Sequence, residues 1–367
     1  MPSHRSAVLP SRRGLIRGIA AGSATALVSA GTTGAAQAAP GPAPAPAHRK
    51  GRVREYWIAA ESFPHNAVPN GRDEMSGATF TAAQTSFTAL GFRAYTPGWG
   101  RPLPADLGPH GIGANTGIPG PVIRAQVGDT LKVHFRNDDH HYRWPHSMHP
   151  HGVRYTPDND GGWVAASPDT PGTAVPYGGT YTYTWTAEPS SVGTWPYHDH
   201  SVPQTVPGAS SGGGMGAMGG GTMEIGAQLG LVGVLVVTDH HTPDVDREFA
   251  LVFHDLYAND VPSLAQDLDL FNGYAFLGNT PTFHARAGER VRWRIVALGK
   301  EFHVFHLHGH RWRSGLGYQG WVDSQIVGPS TSLTVEYTED NPGDWLYHCH
   351  VVDHMMGGMV GRYTVSG

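Results

Sequence analysis

The sequence predicts an all-β protein of two β-sandwich domains, on three observations: a composition rich in turn formers, strands that alternate apolar and polar residues, and one set of landmarks written twice. Its 367 residues include 50 Gly and 29 Pro with only 15% charged residues. That balance favours short strands joined by turns, in a chain longer than one ordinary domain.

The elements follow in order. Residues 1–38 read as a processing segment, in which Ser11-Arg12-Arg13-Gly14-Leu15-Ile16-Arg17 precedes a mildly apolar Ala/Gly run and Ala36-Gln37-Ala38 places small residues around a cleavage position. The pattern resembles a bacterial twin-arginine export signal, so a secreted protein, exported folded, is expected. Residues 39–51 form a Pro/Ala linker expected to be extended and disordered. No later stretch is apolar and long enough to cross a bilayer as a helix.

The repeat then sets two domains, 52–238 and 239–367. Val192-Gly-Thr-Trp-Pro-Tyr-His-Asp-His200 matches Pro342-Gly-Asp-Trp-Leu-Tyr-His-Cys-His350 at Gly, Trp, Tyr and both His. Upstream, His146-x-x-His149-x-His151-Gly152 matches His303-x-x-His306-x-His308-Gly309. Gly128 to Arg136 and Gly288 to Ile295 share a turn followed by alternation, the mark of a half-buried strand, and Gly230 to Val237 matches Gly358 to Val365. Four landmarks in one order indicate an internal duplication. The copies differ where it matters chemically: Asp199 stands against Cys349 and Leu231 against Met359, and the first copy carries a Gly/Ser/Met insertion at about 207–224.

A formal charge of -5 with scattered Lys and Arg provides no basic stripe, so neither nucleic acid nor a membrane surface is an expected partner. The unusual counts are 23 His and one Cys. Imidazole is the leading protein ligand for copper, zinc and iron. Cys349 has no disulfide partner within the chain, which leaves an inert buried thiol or a thiolate ligand.

Strand geometry sorts these groups. On a strand, His348 and His350 point one way and Cys349 the other, so one tripeptide can serve two metal sites. The intervals of His303, His306 and His308 put the last two on one face and let the first turn to the opposite one. Cys349 and His303 can then share a site, completed by His354 and Met359 after a turn at Val351 to Asp353. One thiolate, two imidazoles and a thioether form the ligand set of a blue electron-transfer copper; a structural zinc site more often uses several Cys. The pairs His149/His151, His198/His200, His306/His308 and His348/His350 all have i,i+2 spacing, and chance supplies only about one or two such pairs. Eight imidazoles suit a cluster of about three metals with positions open to dioxygen.

The motifs HPHG, WPYHDH, HVFHLHGH and HCHxxxHxxxxM resemble the four copper motifs of multicopper oxidases, in the arrangement of the bacterial two-domain small laccases. The resemblance implies two cupredoxin-like Greek-key sandwiches and four coppers per chain. It places type 1 copper on Cys349, His303, His354 and Met359, and type 2 copper on His149 and His306. The type 3 pair falls on His151, His198, His200, His308, His348 and His350. It also implies Asp160 and Asp323 as proton donors, Tyr155 as a redox-active neighbour, and a homotrimer with trinuclear clusters at subunit interfaces. The implied chemistry is one-electron oxidation of phenols and aromatic amines coupled to four-electron reduction of O2 to water. The alternatives are a cuprous oxidase or copper-handling protein, with Met215, Met218 and Met223 as soft ligands, and a copper nitrite reductase, which needs only about three imidazoles at its interfacial site and leaves the others unexplained. His140, His141, His240 and His241 read as surface imidazoles, and His146 as a relic or a hydrogen-bonding neighbour.

Overall fold

A computed structural model of the chain describes residues 51–104, 115–210, 225–314 and 320–367. The export-signal segment, most of the linker, and Met215, Met218 and Met223 lie outside the described residues.

The first half contributes β1 (Val53–Asn66), a one-turn α1 (Ala82–Thr85), β2 (Ser86–Tyr95), β3 (Ile123–Gln126), β4 (Thr130–Asp138) and β5 (His149–Pro150), then β6 (Thr180–Thr186), β7 (Gly193–His198), α2 (Ile225–Gln228) and β8 (Val232–Thr238). They form two sheets, in the orders β2-β1-β4-β6 and β3-β8-β7-β5. The second half contributes β9 (Arg247–Leu256), β10 (Leu268–Phe271), β11 (Thr282–Arg286), β12 (Arg290–Leu298), β13 (His303–Leu307), β14 (Trp312–Arg313) and β15 (Trp321–Val322). It continues with β16 (Ser324–Val327), β17 (Ser332–Thr338), β18 (Gly343–Cys349), α3 (Val352–Gly357) and β19 (Val360–Ser366). Its main sheets run β10-β9-β12-β17 and β11-β19-β18-β13-β16, which repeats the first half's order with β16 added at one edge.

The duplication reaches single hydrogen bonds. Tyr197 donates to the Pro121 carbonyl at 2.7 Å and Tyr347 to that of Pro281 at 2.6 Å. A Cβ at Gly233 or at Gly361 would come within 2.2 Å of the respective Tyr ring, so each ring requires a glycine on the neighbouring strand. Aromatic and branched side chains fill both interiors, among them Phe135, Tyr183 and Trp185 in the first and Trp293, Phe305 and Tyr363 in the second.

On β4 the expected alternation holds, with Leu131, Val133 and Phe135 buried between exposed or half-buried neighbours. The half-buried reading of β12 does not hold: all its residues after Arg290 are buried. Its outer face is covered by the first sandwich. Val296 and Leu298 pack in a shared cluster with Val232, Val234 and Val236, while Arg294 Nη1 donates to Thr194 Oγ1 at 3.1 Å and Arg124 pairs with Glu248 at 2.6 Å. Alternation read from one sheet alone cannot anticipate a second layer.

Candidate metal centres

In the second sandwich, β18 ends on Cys349 and β13 begins on His303, both wholly buried. The expected turn at Val351 to Asp353 is instead the start of helix α3, which brings His354 back toward Cys349. Cys349 Sγ lies 3.9 Å from His303 Nδ1 and 3.7 Å from His354 Nδ1, and the two nitrogens are 3.2 Å apart. A point equidistant from the three is about 2.1 Å from each, within reach of both imidazole and thiolate bonds to a metal. Met359 is buried in the same core, and its carbonyl accepts the Cys349 N–H at 3.0 Å.

The electrostatics suit a bound cation. Burial, with Asp269 and Asp255 nearby, pushes the Cys349 thiol up to about 11, so a metal is needed to hold the thiolate. Burial and the neighbouring His354 and His254 press His303 down to about 3, which keeps a nitrogen lone pair free. Carboxylates sit behind both imidazoles: Asp255 is 3.4 Å from His303 Nε2, and Glu301 is 3.1 Å from His354 Nε2. The Glu301 contact is a hydrogen bond of the kind that fixes ring orientation and raises ligand basicity, while Asp255 faces His303 without one. Neither was legible in the sequence, since no spacing rule links them to the histidines.

The opposite face of the same sheet gathers His306, His308, His348 and His350. His308 Nε2 and His348 Nε2 are 3.1 Å apart, and the His306 ring contacts those of the other three with centroids at 5.1 to 5.2 Å. The first sandwich repeats the arrangement with His149, His151, His198 and His200, where His151 Nε2 and His198 Nε2 are 3.2 Å apart. Matching hydrogen bonds orient matching rings. His149 Nδ1 donates to the Asp160 carbonyl at 2.7 Å and His306 Nδ1 to that of Asp323 at 2.8 Å, leaving each Nε2 free for metal. His198 and His348 use Nδ1 on the carbonyls of Asp199 and Cys349 in the same way. Burial and neighbouring imidazoles lower His151 and His348 to about 4 and His198 to about 3, so these rings are neutral ligands at ordinary pH.

Of the acid candidates, Asp160 is half-buried and Asp323 exposed. Asp160 also closes a turn by accepting the Gly162 N–H at 3.1 Å. The Tyr155 ring lies 6.1 Å from that of His149, and burial together with the nearby Asp160 carboxylate raises the pKa of its hydroxyl. His140, His141, His240 and His241 are exposed.

Fold and donors together define a copper protein of two cupredoxin-like sandwiches, with its type 1 site in the second. Family models described as multicopper oxidase match residues 103–218 and 252–367. The chain belongs to the multicopper oxidase family. It is 30% identical over 383 residues to Ferroxidase HEPHL1 of Homo sapiens, covering 86% of this chain and 29% of that protein. The chain spans less than a third of the length of the curated relatives it matches. Among solved structures, a multicopper oxidase superposes with a TM-score of 0.59 at 21% identity, over 86% of this chain and 89% of that one. The copper nitrite reductase of Nitrosomonas europaea also gives 0.59, at 20% identity over 86% and 95%. At these identities the likeness speaks for the fold.

Proposed function

We propose that this chain is a laccase-type oxidase that takes single electrons from small phenols and aromatic amines at the Cys349 centre and reduces O2 to water at a trinuclear centre, with four coppers per chain. The carrying observation is the placement of His348-Cys349-His350 on β18: the thiol meets His303 and His354, while His348 meets His308 on the other face. Copper at these donors supplies one-electron redox chemistry and activation of dioxygen.

The chain's own residues do the rest. Cys349 joins the two centres through its peptide bonds to His348 and His350. Phe302, beside His303, and Val352 and Met356, one turn apart on the helix carrying His354, are exposed apolar side chains suited to an aromatic donor. Asp160 and Tyr155 stand within reach of the O2-reducing face to relay protons.

Each sandwich supplies four imidazoles, and among the described residues no imidazole of one set is in ring contact with an imidazole of the other. A complete cluster therefore joins the first sandwich of one chain to the second of a neighbour, in a head-to-tail contact that closes as a homotrimer. The protein is exported folded and acts outside the cell.

Copper analysis, visible and electron paramagnetic resonance spectra, and sedimentation of the purified protein test this reading. About four coppers per chain in a blue trimer that consumes O2 with a phenol supports it; an active monomer, or a colourless protein, overturns it.

One observation favours a second donor class, reduced metal ions. The Glu301 carboxylate beside His354 Nε2 is 51% exposed and can hold a cation at the edge of the electron-accepting imidazole. A cuprous or ferrous oxidase would use that contact, and a phenol oxidase would not.

A further inference from the structure

The first sandwich contains a counterpart of the Cys349 centre, with a carboxylate in place of the thiol, built on the same hydrogen bonds. Asp199 N–H donates to the Leu231 carbonyl at 3.0 Å, as Cys349 N–H does to that of Met359. Leu231 N–H donates to the Gly226 carbonyl at 2.9 Å, as Met359 N–H does to that of His354 at 3.0 Å. Gly226 therefore stands where the second sandwich has His354, Asp199 where it has Cys349, and His146 where it has His303.

The substitutions fit one another. Asp199 Oδ2 is 2.8 Å from His146 Nδ1, replacing the longer sulfur-to-nitrogen approach of the other site. Asp199 Oδ1 accepts the Ser147 N–H at 2.8 Å, as Cys349 Sγ accepts the Val304 N–H at 3.4 Å. A Cβ at Gly226 would lie 2.1 Å from Asp199 Oδ2, so the carboxylate occupies space that a side chain at 226 would need. Asp139 completes the set at 3.3 Å from His146 Nε2, and His146, Asp199 and Asp139 are all buried.

We propose that Asp199 is a positioning residue for dioxygen reduction: its contacts with His146 and Ser147 tie β7 to the segment before β5, as a copper held by Cys349 and His303 would tie β18 to β13. The strand ends so joined carry His198 and His200 on one side and His149 and His151 on the other. Ser147 reinforces the tie, its Oγ accepting the His200 N–H at 3.1 Å. The inference rests on the trinuclear reading of the two histidine faces.

The test uses the copper-loaded full chain and its Asp199→Ala, Asp199→Asn and His146→Gln variants. Type 2 and type 3 spectroscopic signals are followed during chelator challenge, with the blue band as an internal reference. Asp199→Ala and His146→Gln should lose trinuclear copper about tenfold more readily while the blue band stays, with Asp199→Asn in between. Trinuclear signals that resist the chelator within twofold of the unaltered protein overturn the proposal. A blue band that falls in step in every variant also overturns it, since the residue then serves general folding.

If the unaltered protein shows no type 2 or type 3 signal, the trinuclear reading itself fails. The tie is then judged on the metal-depleted chain. Asp199→Ala must speed amide exchange at residues 197–201 about tenfold, and unchanged exchange there overturns it.

Discussion

Cys349 and His348 are consecutive in β18, yet the thiol lies 3.7 Å from His354 Nδ1 on one face of the sheet while the imidazole lies 3.1 Å from His308 Nε2 on the other. Two centres are thus separated by one residue's peptide unit, and each can be altered alone. Cys349→Ser should abolish the blue absorption and nearly all turnover with a phenol, while type 2 and type 3 signals persist. A variant that stays blue shows that the sulfur is not the ligand.

The carboxyl of Asp160 approaches His149 Nδ1 at 3.4 Å and lies close enough to Tyr155 to raise the pKa of its hydroxyl, so in the proposed reaction it would feed protons to this histidine face. Asp160→Asn keeps the backbone carbonyl that orients His149 and should slow oxygen consumption by about a hundredfold, with copper content unchanged. Asp323 is the corresponding residue in the second sandwich, and Asp323→Asn should act in the same direction. Unchanged rates across pH in both variants would remove the carboxyls from the proton path.

Glu301 separates the two donor classes. Glu301→Gln keeps the shape beside His354 but loses the charge that would attract a metal cation. If metal ions are the donors, KM for Cu(I) or Fe(II) should rise about tenfold while phenol kinetics stay within twofold. Equal effects on both donors would mean that the carboxylate only supports the imidazole.

In the metal-depleted chain, burial holds His198, His254 and His303 at about 3 and His151 and His348 at about 4, against an ordinary value near 6.5. The unfolded chain therefore binds more protons below pH 6.5, and stability falls as pH drops through that value toward the folded-state pKa values. Burial raises Asp269 to about 8 and Asp255 to about 6, which acts in the opposite direction with two groups against five. His146, raised to about 9 by Asp199 and Asp139 against the effect of its burial, contributes fully below pH 6.5 and progressively less as pH climbs from there to 9, so it joins the two carboxyls in opposing the five lowered imidazoles without outweighing them. The urea midpoint of the copper-free protein should be lower at pH 5 than at pH 7.5. A midpoint that rises on acidification contradicts the neutral state of these rings.

Much of the site was legible because period-two alternation sorts side chains without any need for tertiary detail. The opposite faces of Cys349 and His350, and the matching of His306/His308 with His149/His151, follow from spacing and from the repeat. The covered outer face of β12 was not legible, since contact with another layer leaves no period in its own sequence. Nor were Asp255 and Glu301, whose approach to His303 and His354 depends on how β9 and the turn before β13 meet in space. The His146–Asp199 pair lay between these cases: the repeat matched His146 to His303 and marked Asp199 as a departure from Cys349, and only coordinates showed that the two answer each other.

From Cys349 to Met359 the chain places a thiolate, an imidazole on α3 and a thioether within a single excursion between β18 and β19. Such a cassette can lengthen, shorten or change its apex while the sheet beneath it stays fixed. The redox potential of a metal held there could therefore be retuned by local edits in this one connection, without touching the imidazoles on the sheet's other face.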